Sequence, residues 1–494
     1  MINWIKKNKL EFSLLLIILA VALFLRLYKI SGFMTFLGDE GRDVRIVRDL
    51  ITKGNLVFIG PMTSIGNMYL GPLYYYMMAP ALFLSGLNPV GPAIMVALLG
   101  VVTVWFTWFV GRNWFGRAAG LIGALLFATS PVAIVYSRSS WNPNPMPFFA
   151  LLCIWGIYEV WQKKKYFWLP IIGMSFAFAL QMHYLGLLLS PVLGIFWLLS
   201  LLQIKKDKVK KQIFIRKTFL AILLFLILMS PLALFDLKHQ GMNLKAFEAF
   251  FSDRQTTINL NPARSDRFLP LISTTVTDLI MANQSILITI VSVLVFLLSI
   301  LVFVKSKWRT SLKMLFSWIG VALLGLSLYK QHVYIHYLGF IYPAIYLLLG
   351  ALLGFVITRK GFIIKLLAAI SLVLLVFLNL KYSPTFGNPN NQLRRTEQVA
   401  DLIIKQSNGQ PFNLGLIAKQ NYDESYRYFL ENKHSALEPD ENKITNQLFV
   451  ICEDGDSCQP EGNSQYQIAI FGMAHVVNEW QIDYIKIYRL VHFK

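Results

Sequence analysis

Between Phe36 and Leu50 the chain reads FLGDEGRDVRIVRDL, acids interleaved with bases directly after a long apolar segment. A helix beginning near Asp39 places Asp39 and Asp43 on one face at i, i+4, with Arg42 at i+3 from Asp39. Carboxylates held beside a cation can accept a proton, and Glu40 adds a third acid. The same acids could share a divalent cation. No histidine neighbours them in sequence, so no metal ligand is assigned and that alternative stays open. Two further stretches offer complementary groups. SRSSWNPNP carries Arg138, Trp141 and Asn142, and KQHVYIHY carries Lys330, His332, His336 and Tyr337. Arginine presents a planar fork to phosphate oxygens, while lysine and protonated histidine supply charge. His332 and His336 stand at i, i+4, a metal-pair spacing, but their loop has no acid to complete such a site. His183, in QMHYLG, is either a ligand contact or a capping histidine.

Each stretch also has a plain structural reading. The charged helix could be a solvated juxtamembrane element, and Arg42, Arg45, Arg48, Arg138 and Lys330 could snorkel to lipid headgroups. Against this, Asp39 and Glu40 lie immediately beside a span, where anionic headgroups would repel them. Val44, Val47 and Ile51 form an apolar stripe on another face. The pattern therefore predicts an amphipathic helix lying on the membrane, its acids turned toward the protein.

The elements that must carry these groups are hydrophobic helices. The chain has 494 residues, 56% hydrophobic and 14% aromatic, with repeated apolar runs long enough to cross a bilayer. The formal charge of +20 suggests nucleic acid only until its location is seen. Basic residues cluster in the short gaps between apolar segments: Arg112 and Arg117, Lys163 to Lys165, Lys205 to Lys217, Lys305 to Lys313, and Arg359 to Lys365. That is the positive-inside signature of a multi-pass membrane protein, and nucleic-acid binding is not needed to explain it. Twelve apolar segments are present, and the clusters all fall inside if Tyr69–Leu84, with its Gly-Pro and tyrosines, lies in the interface. This predicts eleven crossings in a plasma-membrane protein, amino terminus cytoplasmic and carboxyl terminus exoplasmic. The loops carrying Asp39, Arg138, His183 and Lys330 then share the exoplasmic side. The first segment, Phe12–Leu27, lacks a small-residue cleavage site and reads as a retained span.

Residues 381–494 form a separate soluble unit beyond a transmembrane unit over 1–380. Helical patterns (QLRRTEQVADLIIKQ, YDESYRYFLEN) alternate there with strand-like runs (FNLGLIAK, NQLFVICE, YQIAIFG, YIKIYRLV), predicting a small α/β domain. Cys452 and Cys458 in CEDGDSC could close a disulfide contributing roughly 2 kcal/mol on the chain-entropy model. A calcium loop from Glu453, Asp454 and Asp456 is the rival reading. Cys153, within a span, reads as core.

DEGRDVRIVRDLITKG, then GPLYYYMMAP, then GRNWFGRAAGLIGALLFATSPVAIVYSRSS resembles, in order, the GT-C membrane glycosyltransferases. The similarity is to family 39 and its relatives, the protein O-mannosyltransferases and the lipid A aminoarabinose transferase; HYLGFIYP matches later in the chain. Two departures stand out. Leu70-Gly71-Pro72-Leu73 lacks the basic residue or histidine often found there, and SRSSWNPNP offers Asn142 and Asn144 where many members carry an acid. The resemblance implies an α-helical polytopic fold of the GT-C type, with juxtamembrane helices in the first outer loop. It also implies a sugar donor carried on a polyprenyl phosphate and an acceptor that is protein, lipid or polysaccharide of the cell envelope.

Displacing phosphate from the anomeric carbon needs a base for the acceptor hydroxyl and cations for the departing phosphate, which leaves without protonation. Asp39 is the expected base. Glu40 would position the helix or the acceptor, and Asp43 would hold Arg42 or Arg45. Arg138, Lys330, His332, His336 and Tyr337 are expected at the phosphate. Trp141, with Tyr136, is expected to stack on sugar, and Asn142 and His183 to line the site. No P-loop and no strand-borne GxGxxG speaks for a nucleotide, and no cofactor is assigned beyond the open alternative of a divalent cation. A flippase or transporter of lipid-linked sugars should show mid-span charges and repeated broken helices; no such repeat is evident here and charges inside the spans are nearly absent. A whole-glycan ligase is the other alternative; an oligosaccharyltransferase is disfavoured by the short tail and the missing Trp-Trp-Asp-type signature.

Overall fold

The computed structural model describes residues 2–63, 68–252, 267–282, 288–454 and 458–493. Among these, eight helical stretches are long and apolar enough to cross a membrane, from Lys9–Leu27 to Phe362–Lys381. Shorter apolar helices, including Arg117–Thr129 and Trp168–Met182, complete the bundle. Leu73–Leu84 has 12 residues and so a length of about 18 Å, too short for a ~30 Å core. Part of the loop after Lys238, the start of the apolar segment at Ile286, and Asp456 of the calcium alternative lie outside the described residues.

Small residues let the central helices approach closely. A Cβ on Gly350 would stand 2.4 Å from the Ala119 carbonyl oxygen, and one on Gly120 would stand 2.7 Å from Arg112 N. One end of the bundle carries the basic clusters, where buried acids gather them. Glu11 accepts from Arg112 Nε at 2.6 Å, and Glu159 pairs with Lys163 and Lys165 at 2.8 Å each. At the other end the chain bends. Helix Arg117–Thr129 stops at Ser130-Pro131, where the Ser130 hydroxyl caps Ala133 N at 3.3 Å and accepts from the Tyr346 hydroxyl at 2.5 Å. Arg26, fully buried, donates to the freed carbonyls of Ala128 and Phe127 at 3.0 and 3.3 Å. The SRSSWNPNP corner emerges from this bend.

The carboxyl-terminal unit holds a four-stranded sheet in the order β1-β2-β4-β3. Strand β1 (Asn413–Ile417) pairs parallel with β2 (Gln447–Cys452), with helix Glu424–Asn432 in the crossover. Strand β4 (Ile485–His492) pairs antiparallel with both β2 and β3 (Ala474–Ile482). Cys452 and Cys458 are joined by a disulfide with Cα atoms 6.1 Å apart. Two sequence expectations need correcting. YQIAIF forms a short helix, Tyr466–Phe471, because the Gln465 side chain caps Ile468 N at 3.2 Å. The strand lies after it, in AHVVNEWQI, whose alternation is blurred by a bulge between Val476 and Asn478.

The acidic stretch is a helix, Gly38–Lys53, but its apolar stripe does not lie on lipid. Val44 and Val47 are fully buried against protein, and Ile51 packs beside them. Helices Glu424–Asn432 and Leu73–Leu84 both pack on this helix. Burial of each valine contributes ~1.5–3 kcal/mol, and protein, not the bilayer, supplies the cover. Arg45 and Arg48 are likewise drawn to the tail rather than to headgroups: Arg45 pairs with Glu424 and, at 2.6 Å, with Glu431, and Arg48 pairs with Glu431 at 2.7 Å.

Candidate active site

Three segments converge on one end of the bundle. The first loop brings Thr35 to Glu40. The bend after Pro131 brings Tyr136, Ser139, Trp141 and Asn144. The tail brings Gln420, Asn421 and Tyr422. They enclose a cleft of about 210 Å³. The walls are tied together by backbone groups. Thr35 N donates to Ser139 Oγ at 2.9 Å, Phe36 N to Gln392 Oε1 at 3.1 Å, and Gly38 N to Asn421 Oδ1 at 2.8 Å.

Asp39 lies at the cleft with its side chain 42% exposed. Its Oδ1 accepts from Arg42 Nη1 at 2.9 Å and from the Tyr422 hydroxyl. Arg42 is itself anchored by Asp43 Oδ1, at 3.0 Å from Nε and 2.7 Å from Nη2. Asp43 has no exposed surface and also accepts from the Tyr75 hydroxyl at 3.0 Å, so it orients Arg42 from behind and is closed to any ligand. Glu40 borders the cleft but is 5% exposed, and its Oε2 accepts from Leu37 N at 3.0 Å, closing the helix start. Burial, together with the charges of Asp39 and Asp43, raises its carboxyl from 4.5 to about 7.

Of the residues nominated from sequence, Asp39, Glu40, Tyr136 and Trp141 line the cleft, and His336 stands behind its aromatic wall. The His336 ring is 4.6 Å from Trp141 and 6.0 Å from Tyr136. Tyr337 and His183 continue this cluster, with ring centroids 4.6 Å from His336 to Tyr337 and 4.9 Å from His183 to Tyr337. His183 is buried and its Nδ1 accepts from Leu185 N at 3.2 Å, the capping arrangement. His332 packs edge-on to Tyr334 at 4.5 Å, and Lys330 opens the same loop.

Arg138 and Asn142 are placed differently. Arg138 is 2% exposed, lies over the Phe33 ring at 4.3 Å, and donates to the Tyr28 carbonyl at 2.6 Å and to Thr385 Oγ1 at 3.2 Å. Burial lowers its guanidinium to about 10. It braces the first loop against the chain entering the tail, outside the cleft lining. Asn142 is also buried, donating to the Met182 carbonyl at 2.7 Å. Among the described residues, no group of three or more His, Cys, Asp or Glu side chains forms a metal site.

Sequence reasoning missed Tyr422, Asn421, Ser139 and Tyr75. The two glycines of FLGDEGRD were the available signal. A Cβ on Gly38 would meet the Tyr422 ring at 2.6 Å, and a Cβ on Gly41 would meet Ser425 N at 2.2 Å. Both are bare because the tail packs on them.

Known proteins share this architecture. Residues 70–235 match the family described as dolichyl-phosphate-mannose-protein mannosyltransferase. YkcB of Bacillus subtilis (strain 168), provisionally named a mannosyltransferase, is 25% identical over 233 residues, 46% of this chain and 31% of its own. An uncharacterized Aquifex aeolicus (strain VF5) protein is 26% identical over 33% of each chain. The chain thus spans about a third of the length of the curated relatives it matches. In three dimensions, ArnT from Cupriavidus metallidurans, bound to undecaprenyl phosphate, superposes with TM-score 0.63 at 14% identity, covering 98% of both chains. The oligosaccharyltransferase AglB from Archaeoglobus fulgidus, in complex with an inhibitory peptide and a dolichol-phosphate, gives TM-score 0.53 at 13% identity, over 88% of this chain and 64% of its own. The chain thus has the fold of these membrane proteins over nearly its whole length, and from Leu70 to Phe235 it also matches the mannosyltransferase family in sequence.

Proposed function

We propose that the chain is a glycosyltransferase that moves a sugar from a polyprenyl-phosphate carrier to an acceptor hydroxyl at the exoplasmic face of the membrane, with Asp39 as general base. The observation that carries this reading is a half-exposed carboxylate, Asp39, on the rim of a cleft at one end of a GT-C bundle, oriented by an arginine that is itself locked by a buried acid. Undecaprenyl phosphate in ArnT and dolichol-phosphate in AglB support a lipid-phosphate donor. The basic clusters at the opposite end of the bundle support the sidedness.

In the reaction the acceptor oxygen attacks the anomeric carbon, the bond from that carbon to the phosphate oxygen breaks, and the acceptor proton passes to Asp39. The lipid phosphate departs as an anion, so no second acid is needed. Lys330, His332 and His336, with Tyr337 beside them, would receive that anion at the edge of the aromatic wall, and Tyr136 and Trp141 would face the sugar. Glu40 and Asp43 hold the helix and Arg42. Residues 1–380 would carry the donor and residues 381–494 the acceptor side.

The test is turnover of a panel of undecaprenyl- and dolichyl-phosphate sugars by the full chain in nanodiscs. Asp39→Asn should lower it by about 10²–10⁴-fold while thermal stability stays near wild type. Retained turnover removes Asp39 as the base.

A further inference from the structure

We propose that the carboxyl-terminal domain completes the active site, with Tyr422 as the positioning residue that holds Asp39 Oδ1 and leaves Oδ2 for the acceptor hydroxyl. This rests on the reading of Asp39 as the base. The Tyr422 hydroxyl donates to Asp39 Oδ1, while Arg42 Nη1 donates to that same oxygen at 2.9 Å and to the Tyr422 oxygen at 3.0 Å. All the hydrogen bonds to this carboxylate fall on one oxygen, and no described group bonds the other. The oxygen left over belongs to a side chain on the cleft wall.

The phenol reaches Asp39 because Gly38 is bare beneath its ring, where a Cβ would lie 2.6 Å from ring carbons. Asn421 fixes the loop. Its Oδ1 accepts from Gly38 N at 2.8 Å and Tyr422 N at 2.9 Å, and its Nδ2 donates to Glu453 Oε1 at 2.8 Å. The Tyr426 hydroxyl converges on the same glutamate oxygen at 2.6 Å. Burial, with the Asp39 charge added and Arg42 opposing, keeps the Tyr422 hydroxyl far above its ordinary ionisation range, so it remains a donor at working pH. Besides Tyr422, the charged groups around Asp39 are Arg42, Glu40 and Asp43 on its own helix, with Tyr75 reaching Asp43 from the neighbouring one. One phenol thus fixes the carboxylate's rotamer.

The full chain in nanodiscs is assayed for kcat and KM on the lipid-phosphate sugar panel, for wild type and Tyr422→Phe. Losing the hydrogen bond that orients the carboxylate should lower kcat and leave KM within about twofold. Turnover of the lipid-phosphate sugar panel should drop roughly tenfold, with binding of undecaprenyl phosphate unchanged. Tyr466→Phe, whose hydroxyl donates to Asn442 at 3.0 Å elsewhere in the domain, should alter neither. An unchanged kcat in Tyr422→Phe overturns the proposal. So does a rise in turnover, because the hydroxyl would then be occupying the acceptor's own place. Turnover surviving in Asp39→Asn removes the base instead, whereas turnover lost in Asp39→Asn but kept in Tyr422→Phe removes only the positioning role.

Discussion

Gly41 lies so close to Ser425 that a Cβ on the glycine would stand 2.2 Å from the serine's backbone nitrogen and 2.3 Å from its Cα. No side chain can yield there, because both colliding atoms are main chain. Gly41→Ala should therefore push helix Glu424–Asn432 off the acidic helix. The expected cost is about 3 kcal/mol, at the upper end for overpacking. Limited proteolysis of the tail and thermal unfolding would register it; an unchanged proteolysis pattern would show that the two helices are not in this contact in solution.

The same interface is tied by charge. Arg45 and Glu431 pair at 2.6 Å, with 27% and 24% of their side chains exposed, and Arg48 shares the glutamate at 2.7 Å. A double-mutant cycle of Arg45→Ala and Glu431→Ala should give a coupling of about 1–2 kcal/mol, reduced by high salt. Coupling below ~0.3 kcal/mol would mean the pair is solvated and incidental.

The sequence made the helical bundle and the tail's mixed composition readable, because apolar runs and basic gaps are local patterns. It also drew attention to DEGRD. What it could not convey is the face each group presents. Val44 and Val47 look alike whether lipid or protein covers them, and only the folded chain decides. Tyr422 is one tyrosine among 21, separated from Asp39 by more than 380 residues, and nothing local marks it. Arg138 has a phosphate ligand's chemistry, yet the bend at Pro131 turns it inward onto Tyr28 and Thr385.

That inward turn makes Arg138→Ala informative. Removing the guanidinium takes the donor from the part-buried Tyr28 carbonyl, takes one from the buried Thr385 hydroxyl, which keeps Ser383 Oγ at 3.1 Å, and empties the space beside the Phe33 ring. A loss of about 2–4 kcal/mol is expected in thermal or denaturant unfolding. Affinity for undecaprenyl phosphate should stay within twofold of wild type. Weakened binding at unchanged stability would instead return this arginine to the donor phosphate.

Glu40 provides a pH test. Its carboxyl is raised to about 7 in the folded chain from 4.5, mainly by burial, so folding takes up a proton between those two values. The folded state therefore gains from this group at low pH, fully so below about 4.5. The gain is lost as pH rises through 7, where the buried carboxylate must carry charge beside Asp39 and Asp43. A shift of this size corresponds to roughly 3 kcal/mol across the window. Glu40→Gln keeps an oxygen for Leu37 N and removes the charge. Its unfolding temperature should match wild type near pH 4.5 and exceed it at pH 8. Wild type and variant following parallel curves from pH 4.5 to 8 would show that Glu40 ionises as an ordinary exposed carboxylate, and that the helix start is wetter than its packing implies.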